Sequence, residues 1–219
     1  ELYWPFEEGF GTQTTSTGGL VASFVGSPQW VPVSTYNRKV GAHAVLWNTG
    51  NTAYYGQVPD AAPVRLSSSG TLMTWINFNN VGTNRGIIHK GTAGNDTNTC
   101  YSLRLNNSRR IAFMIASGSA NGDRTTLTSN LQPPANQWVH IAATWDASGM
   151  NLYYNGNPLI SNAVAKTAQN TATPLRFGTT SGASNVSARA MMDDVKIFSC
   201  AKTAAEILAY FNATKNGPP

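Results

Sequence analysis

Trp138-Val139-His140-Ile141-Ala142-Ala143-Thr144-Trp145-Asp146, followed by Leu152-Tyr153-Tyr154-Asn155-Gly156, is the stretch that decides the fold. Neighbouring side chains of a strand point to opposite faces. Val139, Ile141, Ala143 and Trp145 therefore fall on one side, and Trp138, His140 and Ala142 on the other. Both sides are apolar, which predicts a central strand covered on both faces. Asn155-Gly156 supplies the positive φ angles of a type I′ turn, so Leu152–Tyr154 is expected to be one arm of a hairpin. Working outward, Leu72–Phe78, Tyr101–Leu105, Ile111–Ala116 and Val195–Phe198 are further β-branched and aromatic runs. Asn106-Asn107-Ser108-Arg109 joins two of them as a second hairpin turn. Short strands punctuated by Gly, Asn, Pro and Ser read as an all-β sandwich or barrel.

The pattern changes once, at Thr203-Ala204-Ala205-Glu206. This is a capping box, in which the Thr hydroxyl and the Glu carboxylate each satisfy the other's backbone amide. A short C-terminal helix is expected after it, laying Ile207, Leu208, Tyr210 and Phe211 against the sandwich. One domain over 1–214 and a tail or linker over 215–219 account for the 219 residues. The chain opens on Glu1 rather than Met, the look of a processed form or an excised domain.

Only 11% of residues are charged, against about 25% in ordinary domains, which excludes coiled coils, acidic tails and charge-driven disorder. No run approaches the ~18 apolar residues of a membrane span. The net charge of +5 is spread singly, with Arg38-Lys39 and Arg109-Arg110 as the adjacent basic pairs. That is a solvated face rather than a nucleic-acid footprint, and it leaves mild attraction to acidic glycans open. Cys100 and Cys200 have no metal-ligand spacing. A disulfide between them, closing a loop worth about 4.7 kcal/mol, and two separate buried thiols are equally open.

Catalysis finds little support. Glycoside cleavage needs two carboxylates ~5–9 Å apart, which residues two apart on one strand can supply. Glu7-Glu8 and Asp193-Asp194 are adjacent instead, and in regular strands would face opposite ways. Asp60, Asp96, Asp123 and Asp146 stand singly in turn-like contexts. His43, His89 and His140 lie in or beside apolar segments with no nucleophile elbow nearby. His140 reads as a core histidine, and His89-Lys90 as a strand end.

Several segments, taken in order, resemble the laminin G-like jelly roll of the concanavalin A-like lectin and glucanase superfamily, in its bacterial multidomain version. Leu2-Tyr3-Trp4-Pro5-Phe6-Glu7-Glu8-Gly9 is similar to its opening strand, and Trp30-Val31-Pro32, Ala44–Asn48 and Tyr54-Tyr55 to the segments after that strand. Met73–Ile76 and Ile87–Lys90 continue the likeness. Trp138–Asp146 with Leu152–Gly156 resembles the family signature "WhHVAatyd … lYvDG", and Met192–Phe198 with Ala204–Ile207 resembles its close. The resemblance implies a two-sheet antiparallel β-sandwich used for carbohydrate or protein binding outside the cytoplasm. It also implies calcium near the joined chain ends, with Glu7 and Asp193 at two of the acidic positions. Thr14–Gly19 lacks the carboxylate that many members carry after the first strand, which puts the ion in doubt.

Sugar binding uses aromatic faces, with Asn, Asp and Arg fixing hydroxyls. The six tryptophans fall at scaffold positions of the resemblance or on alternating strands, leaving Tyr36, beside Arg38-Lys39, and Tyr54 or Tyr55 as candidate platforms. Among polar loops at 82–85, 94–99, 121–124 and 179–187, Arg85 and Arg124 are the candidate ligand contacts. Four N-x-[ST] matches, at Asn95, Asn106, Asn185 and Asn212, matter only in a eukaryotic secretory setting. The sequence thus predicts a non-catalytic recognition module for a glycan or cell-surface ligand, extracellular, on the cell surface or periplasmic, and bacterial in look. A protein–protein or homo-oligomeric assembly module, within a larger protein, is the alternative. A polysaccharide-active enzyme comes third.

Overall fold

The computed structural model describes residues 1–32, 39–47, 54–92, 98–120, 123–180 and 186–217. Among these, the strands in chain order are β1 (Leu2–Trp4), β2 (Gln13–Thr15), β3 (Val21–Val25), β4 (Gln29–Pro32), β5 (His43–Trp47), β6 (Tyr55–Val58), β7 (Gly70–Phe78) and β8 (Gly86–Lys90). They continue with β9 (Tyr101–Leu105), β10 (Ile111–Ala116), β11 (Arg124–Thr128), β12 (Trp138–Asp146), β13 (Gly149–Tyr154), β14 (Asn157–Asn162), β15 (Leu175–Phe177) and β16 (Ala190–Phe198). Helix α1 (Ala204–Thr214) closes the series.

The signature strand is β12, and it stands between β7 and β13 in a sheet of order β14-β13-β12-β7-β16-β5-β4, with β1 paired to β16. The second sheet runs β11-β10-β9-β8-β15-β6-β3-β2. Paired strands within both sheets are antiparallel, and sequence neighbours repeatedly lie in different sheets, giving the expected two-sheet jelly roll. Val139, Ile141, Ala143 and Trp145 enter the core between the sheets, as alternation predicts. There the Trp145 ring meets Tyr101 at 5.8 Å and Phe113 at 5.7 Å, both from the second sheet. Trp4 meets Phe177 at 5.0 Å across the same interface.

The other face of β12 is covered by α1. Met73, Ala142, Tyr153 and Ile207 form a second apolar cluster, with Phe198 and Tyr210 packed on it. Trp75 belongs to this layer rather than to the inter-sheet core, stacking on Phe211 at 5.5 Å. The capping box is present: Thr203 Oγ1 accepts from Glu206 N at 3.2 Å, and Thr203 N donates to Glu206 Oε2 at 2.8 Å. At the β13–β14 hairpin Asn155 and Gly156 have φ of 49° and 79°, the type I′ geometry their sequence demands. At the β9–β10 turn Asn106 Oδ1 accepts from Ser108 N and Arg110 N.

The disulfide left open by the sequence is absent, because Cys100 and Cys200 are both free thiols. Cys100 is buried just before β9 in the second sheet, its Sγ 3.2 Å from Thr171 Oγ1, while Cys200 is exposed just after β16 of the first.

Candidate functional site

The inward positions of the second sheet are apolar: Ala22, Val58, Leu175, Phe177, Ile88, Leu103 and Phe113 all lie in the core. Alternation turns their neighbours to the opposite face. Register then aligns one row across seven strands, in the order Ser23, Gln57, Arg176, His89, Ser102, Met114 and Thr126. Tyr55 and Arg104 flank this row on the same face, two residues along their strands from Gln57 and Ser102.

The middle of the row is buried. His89 and Met114 are each 1% exposed, Ser102 is fully buried and Arg176 is 9% exposed. The reason lies partly at the two ends of β8. A Cβ on Gly86 would stand 2.1 Å from the Thr179 carbonyl carbon, and one on Gly91 would stand 2.7 Å from Thr99 Cα. The chain therefore crosses close over both ends of β8, which is why glycine sits at each. Between these crossings Arg176 Nε donates to Gln57 Oε1 at 3.3 Å and its Nη1 to the Gly91 carbonyl at 3.0 Å. Burial pushes the Arg176 pKa down, and nearby Tyr55 pushes it back up. Ser102 Oγ is buried with no hydrogen-bond partner among the described residues. None of the eight strands of this sheet carries an acidic residue.

The sequence-predicted contacts are distributed unevenly about this face. Tyr55 stands on it, half-buried, beside Arg176. Arg124 stands on it too, opposite Ala116, but on the edge strand β11. Five strand spacings separate β6 from β11, roughly 24 Å, so the two residues flank the face rather than share one subsite. Arg85 is 9% exposed under the rim and donates to the Ser187 carbonyl at 3.1 Å. Burial and the neighbouring Arg189 charge push its pKa down. Tyr36 lies outside the described residues, as do parts of three candidate loops. Gln57, Arg176, His89 and Ser102 escape the sequence reading, although Tyr55-Gly56-Gln57-Val58 and Leu175-Arg176-Phe177 each alternate with period two.

Glu7 and Asp193 do come together, at the joined chain ends. Asp193 Oδ2 accepts from Lys39 N at 2.9 Å and Val40 N at 2.7 Å, and Glu7 Oε2 accepts from Ala42 N at 2.6 Å. The segment 39–42 thus wraps both carboxylates. Asp193 is fully buried, and its Oδ1 has no partner among the described residues. Burial drives its pKa well up, against the pull of the Val40 and Lys39 amides. Asp194 follows at a bulge in β16 with φ of 57°, so the opposite-face rule expected of adjacent strand residues fails here. Its pKa is raised to about 6, first by burial, while Tyr3 as hydrogen-bond donor pulls it down. An orphaned, buried carboxylate oxygen beside a second carboxylate fits a hard cation, with backbone carbonyls needed to complete six to eight oxygens. Among the described residues no group of three acidic, His or Cys side chains gathers there or elsewhere.

His140 does lie in the core, under α1, but its two ring nitrogens have no hydrogen-bond partner among the described residues. Burial lowers its pKa to about 3, which leaves it neutral and unsuited to proton transfer.

A laminin G-type family model, described as the concanavalin A-like lectin/glucanases superfamily, matches residues 49–208. No curated protein matches the chain. Among solved structures, it is similar to the binding domain of Paraclostridial Mosquitocidal Protein 1, with 17% identity and a TM-score of 0.72 over 97% of this chain and 51% of that one. It is likewise similar to a botulinum neurotoxin type C structure whose cell entry depends on two ganglioside molecules, with 15% identity and a TM-score of 0.71 over 97% and 50%. A third is domain 4 of AbnA, an extracellular GH43 arabinanase of Geobacillus stearothermophilus, in complex with arabinotriose, with 13% identity and a TM-score of 0.69 over 95% and 96%. The chain spans about half the length of the toxin chains it matches. At these identities the likeness shows a shared fold.

Proposed function

The chain belongs to the concanavalin A-like lectin/glucanases superfamily, and on that premise we propose that it is a non-catalytic module that binds glycans outside the cytoplasm, using the outer face of its second sheet. The observation that carries this reading is the polar row Gln57, Arg176, His89 and Ser102, with half-buried Tyr55 at its flank. A guanidinium held by two hydrogen bonds keeps further N–H groups for sugar hydroxyls, and the Tyr55 ring offers a surface for stacking. Hydrolysis would need paired carboxylates, and the strands of this face supply none. The arabinotriose complex of a domain of the same fold and size supports a carbohydrate ligand. An extracellular setting agrees with the extracellular arabinanase among the similar structures. No helix among the described residues is long and apolar enough to cross a membrane.

We propose further that Glu7 and Asp193 hold a calcium ion that fastens segment 39–42 to the joined chain ends. Its role is structural, since β1 and β16 belong to the sheet opposite the glycan face.

A glycan array with the purified chain tests the main reading. Binding to a defined sugar, reduced at least tenfold by Arg176→Gln or Tyr55→Ala with the thermal midpoint kept within a few degrees, is expected. Silence of the folded protein across a broad array would overturn it and bring the protein-assembly reading forward.

A further inference from the structure

On the first sheet, away from the glycan face, a pocket of about 220 Å³ opens between α1 and strands β7 and β16. Its floor is apolar, with Met73 4% exposed, Ile207 1% exposed and the Phe198 ring beside them. Lys196 stands in the wall with its side chain 14% exposed. Its Nζ lies 3.5 Å from the centroid of the Tyr3 ring and 5.3 Å from that of Tyr210. The contact with Glu1 Oε1 is 3.6 Å, and that carboxylate is half-exposed.

An ammonium carries three donors. Among the described residues none of those of Lys196 makes a hydrogen bond. Tyr210, in the same wall, has a buried hydroxyl with no partner either. The other cation of the pocket is engaged, because Lys202 Nζ donates to Glu206 Oε1 at 2.9 Å while lying over Phe198. Lys196 Nζ is not among the buried unpartnered atoms and is drawn toward the Glu1 and Asp194 carboxylates, yet it makes no hydrogen bond. Its donors are therefore open to an acceptor of negative charge, with an apolar body below it.

We propose that this pocket binds a small organic carboxylate. The carboxylate accepts from Lys196 Nζ in place of Glu1, and its ring lies on Met73, Phe198 and Ile207. The Glu1, Glu206 and nearby Asp194 carboxylates oppose every added negative charge, so a monoanion is favoured over a dianion. The volume suits a single six-membered ring. Two sources share this chemistry, a uronic acid residue of a glycan and an apolar aromatic acid. The proposal stands apart from the glycan face, since the pocket lies on the other sheet.

Titrations of the whole chain by heteronuclear NMR, following the Met73 methyl and the Ile207 amide, separate the outcomes. The probes are sodium glucuronate and sodium benzoate, with glucose and benzyl alcohol as their neutral counterparts. At least one carboxylate is expected to give saturable shifts below about 10 mM, with its neutral counterpart at least tenfold weaker. Response to glucuronate alone assigns the uronic acid source, response to benzoate alone the aromatic one, and response to both a site for the carboxylate itself. Lys196→Met, which keeps the apolar stem, is expected to weaken binding about tenfold or more. No shift with either carboxylate, equal binding of the neutral counterparts, or undiminished binding by folded Lys196→Met would overturn the proposal. The neutral comparison uses wild-type protein and decides the matter even where a variant fails to fold.

Discussion

The imidazole of His140 lies 5.3 Å from the Trp75 ring, fully buried between β12 and helix α1. Tyr210 closes the other side at 5.3 Å, and neither ring nitrogen is hydrogen-bonded. The neutral ring packs as an aromatic, whereas the protonated ring would be a desolvated charge, so burial lowers its pKa to about 3. The unfolded value is about 6.5. A depressed histidine pKa contributes stability that is complete above the unfolded value and is lost as pH falls from about 6.5 toward 3. Across that window the loss is about 1.4 kcal/mol per pH unit. Urea midpoints of wild type and His140→Phe at pH 7, 5 and 4 check this: the gap should shift steadily in favour of the variant as pH falls. A constant gap would show that His140 is not the titrating group.

Legibility in the sequence depends on what each pattern encodes. The β12 stretch is readable in full because both of its faces are apolar, and the type I′ turn because Asn155-Gly156 is a local requirement. The capping box is equally local. The polar row on the second sheet is not readable, because Gln57, Arg176, His89 and Ser102 are brought together only by pairing between strands distant in sequence. Its strands β6 and β15 have four and three residues, too short for periodicity to stand out. Trp75 faces α1 because Leu72, Ile76 and Phe78 take the inward positions of β7 and alternation turns Met73 and Trp75 to the helix side, a choice the apolar residues on both faces of β7 hide in the sequence.

Calcium should act on the chain ends. Asp193 Oδ1 has no partner among the described residues, and an ion that met it would bind the folded state alone. At about 100 times Kd this adds about 2.7 kcal/mol, raising the melting midpoint on the order of 5–10 °C. Calorimetry with calcium and with EDTA measures the difference, and Asp193→Asn or Glu7→Gln should erase most of it. An unchanged midpoint would leave Asp193 as a carboxyl held only by the amides of Lys39 and Val40.

Two cations meet Asp60 and should differ sharply in weight. Lys90 is fully buried, and its Nζ donates to Asp60 Oδ1 at 2.6 Å and to the Thr171 and Thr173 carbonyls. Arg65 reaches the same carboxylate from the exposed surface. Lys90→Met strips the buried partner from Asp60 and from two carbonyls, and should cost about 3–5 kcal/mol. Arg65→Ala should cost far less, because solvent screens an exposed pair. Chemical denaturation of both variants at pH 7 makes the comparison, and similar losses would refute this ranking.

Gly156 links the hairpin to the helix and separates the stability of the fold from its binding. Its φ of 79° disfavours any side chain, and a Cβ there would stand 2.8 Å from Phe211 Cβ. Gly156→Ala therefore meets backbone strain of about 1–2 kcal/mol and an overpacking term of about 1–3 kcal/mol against α1. The turn lies on the first sheet, whereas the row holding Arg176 is on the second. The variant should melt several degrees lower yet bind glycan with wild-type affinity well below its midpoint. A loss of affinity equal to that of Arg176→Gln, in protein still folded, would move the binding surface to the helix side of the sandwich.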